Sequence, residues 1–199
     1  MRKIDSKELV FITGPIGVGK STFLRSLLLS QNLDNHEFIN TDLYYYMYFQ
    51  DNQEFLKYNY KKAKEYCIYK LKKVIDNADS FVWEDVFTKN EKIEILKQCR
   101  RKNYKVSGYF IGINSYITLL KRVNLRSFNG WYDVPKEKVI SRYNAIMHNF
   151  NLLSQLSTDF FAFDSIENEY KLVYAKSNND VKYISDYCSW LADCLNIKT

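Results

Sequence analysis

Proline and glycine are scarce in this chain, at 2 and 6 among 199 residues, and histidine occurs only twice. With so few breakers there is no Pro/Gly/Ser-rich linker, no internal repeat and no low-complexity segment at which the chain would divide. A hydrophobic content of 46% over 199 residues is enough for one substantial core, so a single domain spanning residues 1–199 is expected. His36 and His148 are too few and too scattered for a metal site. Cys67, Cys99, Cys188 and Cys194 form no C-x-x-C pair and fall at core-like helical positions, which argues for buried thiols over metal ligands or disulfides. No apolar run reaches the length needed to cross a bilayer, and Met1–Glu8 lacks the apolar stretch of a signal peptide. A cytoplasmic protein without a membrane role is expected. The formal net charge of +6 favours anionic partners, which a nucleotide already satisfies, so nucleic acid is permitted but not demanded.

Three of the 6 glycines fall in one octapeptide, Gly14-Pro15-Ile16-Gly17-Val18-Gly19-Lys20-Ser21. Its spacing, G-x-x-x-x-G-K-[ST], lets successive backbone N–H groups curl around a polyphosphate, with glycine allowing conformations and approaches that a Cβ would block. Lys20 is placed to neutralise β- and γ-phosphates, Ser21 to offer its hydroxyl to Mg²⁺, and a helix starting near Lys20 points the positive end of its dipole at the same anion. Average residue usage brings the four fixed positions together in roughly 1% or fewer of chains this long. The context fits as well: Leu9–Thr13 reads as a buried strand and Thr22–Leu29 as a helix. Gly14, Pro15, Gly17, Val18, Gly19, Lys20, Ser21 and Thr22 are thus the candidate ATP-binding residues.

Further apolar runs at Glu37–Asn40, Ser80–Trp83, Tyr104–Ile111 and Thr158–Phe163 alternate with helical patterns, which predicts a parallel sheet covered by helices on both faces. Ala63, Cys67, Leu71, Val74 and Ile75 mark the buried stripe of a long helix whose other face, rich in lysine, reads as a solvated surface. Thr88-Lys89-Asn90-Glu91 has the form of a capping box. Pro135 suits the first turn of a helix running through Val139, Tyr143, Ile146, Met147 and Phe150. Lys171–Lys176 is expected as an edge strand, and Asp180 as the cap of a last helix through Ile184, Cys188, Leu191 and Leu195. The predicted class is α/β: a three-layer phosphate-loop NTPase fold with a mostly parallel five- to six-stranded sheet and a small helical lid near residues 122–142.

In such sheets ligands gather at the carboxyl ends of the strands. The second run ends in Asn40-Thr41-Asp42, and Asp42 is the candidate to take or orient the proton of an attacking hydroxyl, with helix capping as the alternative use. The third run ends in Glu84-Asp85. Glu84 could support Mg²⁺ or hydrogen-bond a polyhydroxylated acceptor, and Asp85 suits a helix cap near Thr88. Arg122 and Arg126 lie four apart before the loop-like Ser127–Pro135, and Arg142 follows it. A helix, loop and helix carrying arginines on the inner side has the form of a lid that excludes water and stabilises transferred charge. Arg122 and Arg142 are preferred over Arg126. The aromatic series Leu43–Phe49 reads as core packing or as an apolar wall at the acceptor site.

Gly14 to Ser21, Asn40-Thr41-Asp42, Glu84, Arg122, and Gly130 to Pro135 followed by Arg142 occur in the order of the zeta-toxin group of phosphate-loop kinases, which the chain resembles over about residues 9 to 164. The resemblance implies an ATP- and Mg²⁺-dependent kinase with Asp42 as catalytic acid/base, Glu84 as an acceptor contact and Arg122 as a lid arginine. It also implies a nucleotide sugar, UDP-N-acetylglucosamine, as acceptor; nothing in the sequence indicates an antitoxin partner. The alternatives are a polynucleotide or nucleotide kinase, favoured by the positive charge, and a nucleotide-driven switch or ATPase using Glu84 and Asp85. Against the latter stands the lack of N-K-x-D and L-S-G-G-Q motifs.

Overall fold

Apolar side chains line both faces of β1 (Glu8–Thr13): Leu9 and Phe11 enter one core, Val10 and Ile12 the other, all at 1% exposure or less. A strand without a polar face belongs in the middle of a covered sheet. In the structure, a computed structural model describing residues 7–31, 33, 35–48, 56–128, 134–166, 169–186 and 188–196 (side chains of 56, 57 and 126–128 excepted), it lies there. β2 (Glu37–Asn40), β3 (Phe81–Glu84), β4 (Lys105–Gly112) and β5 (Asp159–Ile166) run parallel to it. β6 (Glu169–Ser177) and β7 (Asp180–Ile184) follow antiparallel, in the order β2-β3-β1-β4-β5-β6-β7.

One face of the sheet is covered by α1 (Lys20–Ser30) and α5 (Tyr116–Phe128), which contribute Phe23, Leu24, Leu27, Leu119 and Val123, with Val139 from α6 (Lys136–His148). On the other face lie α2 (Thr41–Tyr48), α3 (Leu56–Asn77), α4 (Asn90–Arg101), α7 (Phe150–Leu156) and α8 (Ser189–Leu195). The predicted stripe of α3 is buried as expected, and Lys61, Lys62, Lys64, Lys72 and Lys73 are exposed on its other side. Cys67, Cys99 and Cys188 are buried and Cys194 half-buried. Burial pushes the Cys67 thiol up to about 11 and the other three up to about 12, so none is a ready nucleophile at neutral pH. Among the described residues no helix is long and apolar enough to cross a membrane.

Several local expectations are corrected. The sheet has 7 strands, not five or six, because Asp180 does not cap a helix: Asn178 and Asn179 both adopt positive φ, at 48° and 74°, and turn the chain into the hairpin partner β7. Two successive left-handed residues fit the twist of a tight hairpin, and asparagine tolerates that region better than most. Lys171–Lys176 is therefore an inner strand, the edge passes to the wholly exposed β7, and the last helix starts only at Ser189. The capping box at Thr88 does not form. Lys89 occupies the N-cap of α4 without a side-chain bond. The helix after Pro135 breaks at Asn149, whose side-chain Nδ2 donates to the Phe87 carbonyl at 2.8 Å, and Phe150 belongs to a separate helix.

Gly112 at the end of β4 shows how tightly α8 is seated. A Cβ there would lie 2.3 Å from the Trp190 ring, whose Nε1 donates to the buried Asp164 carboxylate at 3.0 Å. The indole cannot move without abandoning that bond. Gly112→Ala is expected to destabilise the protein by about 1–3 kcal/mol, read as a lower urea midpoint at unchanged slope.

Candidate active site

The loop between β1 and α1 emerges at the centre of the carboxyl edge of the sheet, and glycine is required there twice for different reasons. Gly14 has φ 143°, and a Cβ on it would sit 2.1 Å from the Ile111 carbonyl oxygen of β4. Gly19 is the N-cap of α1 with φ 105°, in the left-handed region, and a Cβ would meet the Tyr170 hydroxyl at 2.6 Å. Lys20 Nζ folds back across the loop and donates to the carbonyls of Gly14 at 3.2 Å and Pro15 at 2.9 Å.

Parallel pairing brings the next strand tips alongside. Ile12 pairs with Glu84, and Glu84 in turn with Asn40. The Glu84 side chain, 6% exposed, accepts from Ser21 Oγ at 2.7 Å on Oε1 and from Asn40 Nδ2 at 2.9 Å on Oε2. Burial raises its pKa above the ordinary carboxyl value and the Asp42 charge adds to the rise, against Lys20 and the bonds from Ser21 and Asn40. One hydroxyl and one carboxylate in contact form a hard oxygen pair, which suits Mg²⁺ completing its shell with water and phosphate oxygens. No cluster of three or more Asp, Glu, His or Cys occurs among the described residues, so an all-protein cage is not on offer.

Asp42 lies in the first turn of α2, one strand further out. The capping role falls to Asn40, whose Oδ1 accepts from the Leu43 amide at 2.8 Å. Asp42 Oδ1 instead accepts a 2.6 Å bond from the Tyr60 hydroxyl of α3. Burial, and then the Asp42 carboxylate, push the Tyr60 phenol far above its ordinary pKa, so it stays a donor. The Lys64 ammonium lies 4.7 Å from the centre of the Tyr60 ring. Though the residue as a whole is exposed, its pKa is lowered, first by partial desolvation and then by Arg142, Lys92 and Lys89, while Asp85 acts in the opposite sense. Asp85 pairs with Lys92 at 2.5 Å and accepts from the Val86 amide, so it braces the start of α4 from outside the helix.

Arg122 and Arg142 stand on different sides of the loop. Arg122 Nη1 donates to the Val18 carbonyl at 3.2 Å and to Ser165 Oγ at 3.3 Å, and with Gly17, Gly19, Thr22, Ser165 and Tyr170 it lines a cavity of about 370 Å³. Arg142 is half-buried on α6, near Lys64 and Tyr60. The Arg126 side chain and residues 129–133, which include the Gly130–Asp133 part of the resemblance, lie outside the described residues. Of the aromatic series, Tyr44 and Tyr45 are buried against α3, with Tyr44 edge-on to Tyr66 at 5.0 Å and Tyr45 near Tyr60 at 5.7 Å, so these two rings pack α2 onto α3. Tyr60, Lys64, Ser165 and Tyr170 were not singled out from the sequence. Asn40 carried a signal, since asparagine between a strand and a helix marks an N-cap; Tyr60 is one of 17 tyrosines with no distinguishing neighbour.

No protein-family model matches the chain, and no curated protein matches it in sequence. Solved structures match it in three dimensions. The AvrRxo1-ORF1:AvrRxo1-ORF2 complex with sulphate ions has a TM-score of 0.72 over 95% of this chain and 63% of that one, at 14% identity. The same complex with ATP gives 0.69 over 89% and 60%, also at 14% identity. The PezAT chromosomal toxin-antitoxin system of Streptococcus pneumoniae gives 0.63 over 98% and 85%, at 12% identity. The chain spans about three-fifths of the AvrRxo1 chains it matches. At these identities the likeness shows a shared α/β fold, in which the Gly14–Ser21 loop of this chain lies at the carboxyl edge of the sheet.

The Tyr60–Asp42 bond links α3 to the tip of β2. Tyr60→Phe, which deletes only the hydroxyl, is expected to cost about 1.5–3 kcal/mol of unfolding free energy, measured in urea, as a neutral donor to a charged acceptor is lost.

Proposed function

We propose that the protein is a phosphate-loop kinase that transfers the γ-phosphate of ATP to a hydroxyl of a small-molecule acceptor, with a nucleotide sugar such as UDP-N-acetylglucosamine as the acceptor class. The observation that carries the reading is the bonded series Ser21–Glu84–Asn40, which ties the loop after β1 across the tip of β3 to the end of β2, two residues before Asp42. The order of motifs shared with zeta toxins and the fold shared with the PezAT and ATP-containing AvrRxo1 structures support it. The cations Lys64 and Arg142 near Tyr60, the residue bonded to Asp42, suit an acceptor that carries phosphate, and favour the nucleotide sugar over a neutral sugar.

In this mechanism the backbone amides of residues 16–22 and the Lys20 ammonium hold the triphosphate, Lys20 leaving the Gly14 and Pro15 carbonyls to reach the β- and γ-phosphates. Ser21 and Glu84 would hold Mg²⁺, which when bound neutralises charge on the phosphate oxygens. Asp42, oriented through one oxygen by Tyr60, accepts the proton of the acceptor hydroxyl as its oxygen bonds to the γ-phosphorus and the bond to the β,γ-bridging oxygen breaks. Arg122 and Arg142 stabilise the charge spread over the transferred group. The acceleration comes from positioning and electrostatics, as phosphoryl transfer requires.

Incubation with ATP, Mg²⁺ and a metabolite panel including UDP-N-acetylglucosamine is expected to yield a product heavier by one phosphoryl group. Asp42→Ala should slow its formation about 10²–10⁴-fold; an undiminished rate in that variant overturns the role of Asp42. By calorimetry, Lys20→Ala is expected to weaken MgATP binding about 10- to 100-fold. Absence of MgATP uptake by folded wild-type protein overturns the whole reading.

A further inference from the structure

The phosphate-binding loop is fastened from outside by a segment that its motif does not include. At the end of β5, Ser165 is 5% exposed, and its hydroxyl donates to the Val18 carbonyl at 3.1 Å, the same oxygen that receives Arg122. At the start of β6, the Tyr170 hydroxyl donates to the Gly19 carbonyl at 2.8 Å, an oxygen that also receives the Thr22 and Phe23 amides of α1, each at 3.0 Å. Both contacts span more than 140 residues of sequence.

A trans peptide unit holds its C=O and its N–H in one plane, pointing in opposite directions. A carbonyl of Val18 fixed toward Ser165 and Arg122 therefore turns the Gly19 amide the other way, and a carbonyl of Gly19 fixed toward Tyr170 and α1 does the same for the Lys20 amide. These are amides that the loop motif directs at a polyphosphate. The constraint has something to act on, since Gly17 and Gly19, with φ of 79° and 105°, tolerate alternative peptide orientations that a side chain would forbid. Tyr170 also occupies the space that a Cβ on Gly19 would need, so loop and hairpin are fitted to each other.

We infer that Ser165 and Tyr170 are positioning residues for the nucleotide: by holding the Val18 and Gly19 carbonyls outward, they aim the Gly19 and Lys20 amides at the phosphates before any ligand arrives. The inference rests on the reading of the loop as an ATP site and adds the β5–β6 hairpin to the apparatus that preorganises it. Arg122 shares the Val18 oxygen but has a separate role in transfer, so the test leaves it intact.

MgATP affinity is measured by calorimetry for the wild-type chain, Ser165→Ala, Ser165→Thr and Tyr170→Phe, together with the thermal midpoint of each ligand-free protein and the ¹⁵N–¹H resonances of Gly19 and Lys20. Ser165→Ala and Tyr170→Phe should each bind about fivefold to tenfold more weakly, with folded ligand-free protein and displaced Gly19 and Lys20 resonances. Ser165→Thr, which keeps the hydroxyl, should bind more tightly than Ser165→Ala. A packing role predicts the reverse order, because at so buried a position the added methyl is the more disruptive change. Affinities within twofold of wild type for Ser165→Ala and Tyr170→Phe, or the reversed order at Ser165, overturn the inference while leaving ATP binding in place. No uptake of MgATP by the wild-type chain overturns the ATP reading and this inference with it.

Discussion

A carboxylate shut away from water must find donors or give up its charge, and Glu84 finds two from separate elements. Its oxygens join the first turn of α1 to the tip of β2 through the tip of β3, so the register of three parallel strands and the seating of the phosphate-binding loop are tied to one side chain. Burial and the Asp42 charge raise its pKa on balance, while Lys20 and the bonds from Ser21 and Asn40 pull it down. A divalent cation arriving between Ser21 and Glu84 would tip that balance toward the charged form.

The same edge of the sheet divides into two halves of different character. The half around Gly14–Ser21 is built from backbone, with glycines in conformations closed to other residues and carbonyls fastened by Ser165, Arg122 and Tyr170. The half around Asp42 is built from side chains: Asp42 is held by Tyr60, Lys64 and Arg142 lie near Tyr60, and Lys92 pairs with Asp85. On the proposed kinase reading, the backbone half would serve any triphosphate and the side-chain half would set the acceptor.

That division explains what the sequence disclosed. The loop was legible because its chemistry needs glycine at fixed spacing, and the central strands because burial on both faces leaves unbroken apolar runs such as Leu9–Ile12. The stripe of α3 followed from its period alone. The hairpin at Asn178-Asn179 was hidden because β7 is only five residues long and wholly exposed, so the alternation of Val181 and Tyr183 is too brief to stand out, and its turn lacks glycine. Tyr60, Ser165 and Tyr170 were invisible for a different reason. Each acts through a hydrogen bond to a residue that only tertiary structure brings near, and serine and tyrosine are too common in the chain to stand out.

The position of Lys20 has a consequence for selectivity. Its ammonium donates to two carbonyls of its own loop, so on the proposed reading an anion would compete with those carbonyls for it. A lone phosphate would forfeit the same two contacts as a long chain of them but return fewer. Lys20 would then discriminate by ligand length before a base or a sugar is felt, a role beyond the attraction with which its charge is usually credited.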